Sequence, residues 1–156
     1  MFDLINGIPV HPLVVHAIVV LLPITVLGTL ALAAVPRWRV TYGPLVVASA
    51  LLSVVLLPVA TSSGEELEKR VGDPGEHAEL GEMLIWFAIP LLVLVTAMWW
   101  LARRQERGHA SEPSKVLVTT VVVLAVLAAL ATSVQVYRVG DSGAKAVWED
   151  AASATS

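Results

Sequence analysis

The chain contains no cysteine. That excludes disulfides, thiolate metal ligands, iron–sulfur clusters and c-type haem attachment within its 156 residues, so any cofactor must be held by histidine, carboxylate, methionine or backbone. Charge is scarce as well. Asp, Glu, Lys and Arg make up 15% of the residues against 56% hydrophobic, and the mean hydropathy is +0.78, values suited to a bilayer rather than to water. The formal net charge of −3 and the confinement of basic residues to short clusters argue against nucleic-acid partners. A Ser/His/Asp order, a phosphate loop, a nucleotide fingerprint and an H-E-x-x-H zinc motif are all missing, so no catalytic residues are expected.

What the chain does have is four stretches free of Asp, Glu, Lys and Arg, running from Leu13 to Pro36, Tyr42 to Gly64, Met83 to Ala102 and Val116 to Tyr137. Each is long enough to cross ~30 Å of hydrocarbon at ~1.5 Å per residue. The first lacks the basic n-region of a signal peptide, since Asp3 is the only charge before Arg37, and it reads as a retained helix. The expected fold is therefore all-α, an up-down-up-down bundle of four transmembrane helices near residues 8–36, 42–64, 74–103 and 115–139. Residues 1–140 form one domain, with a short tail over 141–156. Pro23 and Pro90 are expected to interrupt the first and third helices at similar depths, and no stronger internal repeat is visible.

Orientation follows from the basic residues. Arg37, Arg39, Arg103, Arg104, Arg107 and Lys115, six of the ten, fall in the loops after the first and third helices, while eleven of the thirteen acids fall on the opposite side. The positive-inside rule makes the Arg-rich loops cytoplasmic and puts both termini on the non-cytoplasmic side of a multi-pass protein. Trp38, Tyr42, Trp99 and Trp100 suit the inner interface, and Trp86 and Tyr137 lie toward the outer one. Arg37 to His11, Arg39 to Glu65, Arg103 to His77 and Lys115 to Asp141 are all separations of 26 residues. At ~1.5 Å each this is ~39 Å, which places His11, Glu65, His77 and Asp141 at one outer level.

The candidate functional residues gather at that level. Asp73-Pro74-Gly75-Glu76 reads as an N-cap, a first-turn proline and a capping-box acid opening the third helix. On that helix His77, Leu80, Gly81, Leu84 and Ala88 share a face, so His77 should point into the bundle. On the first helix His11 sits at the boundary and His16 about 7.5 Å deeper. An imidazole at that depth should face the bundle and find a partner. His11 and His16 are ~140° apart around a helix, so both cannot serve one small ion without unwinding. Arg138 could pair with Asp141 or neutralise a haem propionate, and Gln135 is a second polar residue of the fourth helix that needs a role. His109, in the inner loop, reads as solvated. Two chemistries fit the cluster. Imidazoles from different helices, drawn from His11, His16 and His77, could ligate a b-type haem with Arg138 near its propionates. Alternatively His11, His77, Asp141 and Glu65 could hold a transition metal. In a third reading the histidines only cross-link helices of an accessory subunit.

Three segments also carry a resemblance: His11-Pro12-Leu13-Val14-Val15-His16, His77-Ala78-Glu79-Leu80-Gly81-Glu82, and Gly140-Asp141-Ser142-Gly143-Ala144-Lys145-Ala146-Val147-Trp148. The chain resembles the bacterial integral membrane protein family designated domain of unknown function 2231 over nearly its whole length. The resemblance implies a bacterial cytoplasmic membrane location. Because relatives can be joined to Rieske or cytochrome c domains, it also implies a part in membrane electron transfer with such a domain as redox partner. Relatives often carry histidine where this chain has Asp141, which tilts that position toward metal chemistry or toward no essential role. His11, His16 and His77 match the family pattern.

Overall fold

The computed structural model describes residues 4–5, 8–71, 75–108 and 113–153; Asp73, Pro74 and His109 lie outside the described residues. Four helices carry the fold: α1 Val10–Ala34, α2 Trp38–Val71, α3 Glu76–Glu106 and α4 Lys115–Ser153. All four are long and apolar enough to cross a membrane. Ahead of α1, two-residue strands β1 (Leu4–Ile5) and β2 (Ile8–Pro9) pair antiparallel, so α1 starts at Val10 rather than at residue 8. Consecutive helices pack on one another and α1 closes the ring against α4.

The helix ends have local causes. Pro36 cannot continue α1, and Arg39 of α2 turns back to donate from Nε to Leu32 O (2.9 Å) and from Nη2 to Ala33 O (3.1 Å), satisfying carbonyls of the last turn. Gly108, at φ +58°, ends α3 after Arg107 has bonded Arg103 O, a left-handed stop that suits glycine. Gly75 takes φ +60° and is itself the N-cap, without a side-chain capping bond. The third helix therefore opens at Glu76, two residues later than the capping-box reading places it. A left-handed residue cannot belong to a right-handed first turn.

Pro23 and Pro90 do not interrupt their helices; α1 and α3 run through them. In hydrocarbon a broken helix would expose several unpaired backbone groups, so one missing N–H is the smaller cost. The last helix also continues past residue 139, to Ser153.

The core is apolar with hydroxyls set into it. Leu22, Leu32, Leu91, Val95 and Met98 are fully buried. Thr25 and Ser49 share Leu21 O and each other, joining α1 to α2. Gln135 of α4, 2% exposed, donates to Leu80 O of α3 at 2.9 Å. The bundle is moreover built twice. Buried Ile18, Leu22, Thr25, Thr29 and Leu32 of α1 correspond, 66 residues on, to buried Leu84, Ala88, Leu91, Val95 and Met98 of α3. Buried Val46, Ala50 and Ser53 of α2 correspond, 79 residues on, to buried Ala125, Ala129 and Thr132 of α4. The first offset also superposes His11 on His77, and the second Gly64 on Gly143. This repeat was hidden in the sequence because the two hairpins have connections of different length and few identical residues.

Candidate functional site

His11 and His77 are each the second residue of their helix, α1 and α3. Both are half-buried, and both line one cavity of about 720 Å³ at this end of the bundle. The walls are mostly aliphatic, with Ile18, Leu22, Leu57, Leu84 and Val136 among them. Glu65 and Asp141 line the same cavity, so the four residues that lie 26 from the basic markers share one cavity wall.

The two imidazoles are held alike. His11 Nδ1 lies 2.9 Å from Ala60 O of α2, and His77 Nδ1 lies 3.1 Å from Val139 O of α4. A carbonyl only accepts, so each neutral ring carries its proton on Nδ1 and leaves the Nε2 lone pair bare. Among the described residues no group hydrogen-bonds either Nε2. The same carbonyls accept from serines one turn on: Ser63 Oγ to Ala60 O at 3.0 Å, and Ser142 Oγ to Val139 O at 3.1 Å. Beneath each ring lies a glycine. A Cβ at Gly64 would stand 3.0 Å from His11 Cε1, and one at Gly143 would stand 2.9 Å from His77 Cε1.

The other candidates divide. His16 is exposed and, among the described residues, bonds only its own helix, from Nδ1 to Pro12 O at 2.5 Å. The expectation that it faces the bundle fails, because the ~140° between the two positions turns His16 out once His11 faces in. Its ring proton is satisfied locally instead. Arg138 is exposed and is not among the cavity's lining residues. The Arg138–Asp141 pair does not form; Asp141 Oδ2 pairs with Lys145 Nζ at 2.7 Å, one helical turn along α4. Among the described residues no three His, Asp or Glu groups come together as a metal-chelating set. Glu65, Glu68, Glu82 and Asp141 give the cavity an acidic rim, opposed by the positive N-terminal ends of α1 and α3.

A scan of family models matches residues 7–156. The chain belongs to the family described as "predicted membrane protein (DUF2231)". Neither a curated protein nor a solved structure matches it significantly. This DUF2231 protein is thus a multi-pass membrane protein. Its paired histidines were legible in the sequence, whereas Ser63, Gly64, Ser142 and Gly143 were not singled out as a pair. The signal was there: residues 50–64 and 129–143 both open on Ala-Leu, carry Ser or Thr at the fourth position and end on Ser-Gly.

Proposed function

We propose that this protein is a small membrane redox component whose outer cavity holds haem b between His11 and His77. The observation that carries the reading is the pair of bare Nε2 atoms on opposite hairpins lining one apolar cavity. Nδ1–H bonds to backbone carbonyls are the usual support of a ligating imidazole, since they fix the tautomer and raise the basicity of Nε2. A volume of about 720 Å³ lies within the range of cofactor pockets. Haem would supply one-electron chemistry. The chain's own residues orient the two rings, exclude water with aliphatic side chains and set the charge at the mouth. That charge does not favour propionates on the rim side, because Glu65, Glu68 and Glu82 repel them; the positive N-terminal ends of α1 and α3 provide the opposing sign.

The positive-inside rule applied to the arginine-rich loops supports a cavity on the non-cytoplasmic face of a bacterial cytoplasmic membrane, within reach of an extracytoplasmic one-electron partner such as a Rieske or cytochrome c domain. A non-haem transition-metal site on His11, His77, Asp141 and Glu65 is the less supported reading, because Asp141 is engaged with Lys145. The test is a reduced-minus-oxidised spectrum of protein purified in detergent from haem-supplied cells. A Soret band with sharp reduced α and β bands supports the proposal. A colourless preparation with stoichiometric metal by elemental analysis sinks it, and a preparation with neither cofactor favours an accessory role.

A further inference from the structure

The two halves of the site share more than a histidine. In each, a backbone carbonyl on the even-numbered helix receives the imidazole Nδ1–H, the serine three residues later donates to that same carbonyl, and the glycine after the serine leaves the space that the ring occupies. A serine that bonds back to a carbonyl of the preceding turn offers that carbonyl a partner outside the helical ladder and often bends the helix locally. The same carbonyl also accepts from the imidazole of the neighbouring helix. The missing Cβ lets the ring approach close enough to use it. In the second half the Ser142 oxygen also lies 3.4 Å from His77 Nδ1, where it can share the same proton.

We infer that Ala60/Ser63/Gly64 and Val139/Ser142/Gly143 form a repeated positioning unit that presets His11 and His77 as two equivalent Nε2 donors facing each other across the cavity. Ser63 and Ser142 are its positioning residues. The preset tautomer does not depend on the identity of the ligand; its consequence for the ligand rests on the haem reading. If both donors are preset alike, both faces of a planar metal-centred ligand are taken by protein. No position then remains for carbon monoxide, cyanide or azide, and the site is built to pass electrons rather than to bind small molecules.

The tautomer is read in the cofactor-free protein, uniformly labelled with nitrogen-15 at histidine and held in detergent. A His16→Gln background removes the ring that carries the same Nδ1–H bond within its own helix, and His11→Gln and His77→Gln assign the remaining signals. Both site rings are expected as Nδ1–H tautomers. Ser63→Ala should lose that state for His11 alone and Ser142→Ala for His77 alone, while Ser63→Thr and Ser142→Thr retain it. Far-ultraviolet dichroism and a monodisperse elution profile confirm that each variant is folded. Site rings protonated on Nε2, or serine variants without effect on the tautomer, overturn the inference. On the haem-loaded protein, a ferrous carbon monoxide adduct formed at micromolar gas overturns the two-sided arrangement while leaving haem binding intact. Failure to take up haem with both rings in the Nδ1–H form counts against the haem reading alone and supports the positioning unit.

Discussion

Gly143→Ala is the substitution whose outcome the geometry constrains most sharply. Alanine normally stabilises a helix by about 1 kcal/mol over glycine. Here its Cβ would stand 2.9 Å from Cε1 and 3.0 Å from Nδ1 of His77. Carbon contacts are comfortable near ~3.5 Å, so the ring must retreat from α4 by about 0.5 Å. Val139 O lies on α4 too, and the 3.1 Å bond to it would lengthen to about 3.6 Å, beyond hydrogen-bonding range. Overpacking costs about 1–3 kcal/mol and a lost bond about 1 kcal/mol, so the net expectation is destabilisation by roughly 1–3 kcal/mol. At Gly64 the contact is 3.0 Å and the bond starts at 2.9 Å, so a retreat of about 0.4 Å leaves a weakened bond and a smaller net cost of roughly 0–2 kcal/mol. Gly140 supplies the control, because a Cβ there meets no atom within 4 Å and alanine should stabilise by up to about 1 kcal/mol. Unfolding by SDS from mixed micelles, followed by helical dichroism, gives the three values. Equal stabilisation by all three alanines would refute the placement of both rings.

Other expectations follow from single contacts. Gln135→Leu removes the bond to Leu80 O and should cost about 0.6 kcal/mol or less in the same SDS unfolding, whereas Gln135→Glu buries a charge in the hydrocarbon level and should cost about 3 kcal/mol or more. Similar effects of the two would show that the side chain is not buried. Neutralising the rim with Glu65→Gln should tighten haem binding by about two- to five-fold in low-salt titrations, and less at high salt; weaker binding would instead make Glu65 a ligand. For orientation, a cysteine at exposed Glu79 should react with an impermeant thiol reagent in intact cells and one at exposed Glu106 should not. The reverse pattern would invert the protein in the membrane.

How much of this was readable from the sequence depended on the kind of signal. Long uncharged runs located four helices because the bilayer demands length and apolarity with little regard to neighbours. The 26-residue ruler brought His11, His77, Glu65 and Asp141 to one cavity because helical rise is constant. Helix ends were less legible: Gly75 and the β1–β2 pair moved starts by two residues, through local dihedrals that composition does not encode. Rotation about the first helix was misread at His16, since a depth argument says nothing about azimuth. The serine–glycine platform needed two helices placed side by side, and only then did its second copy stand out.

Haem titration into the cofactor-free protein asks whether the two imidazoles on opposite hairpins share one ligand. One haem per chain is expected, with a low-spin ferric spectrum that is lost or converted to high spin in both His11→Ala and His77→Ala and unchanged in His16→Ala. Haem binding that survives both substitutions, or that depends on His16 instead, would contradict it.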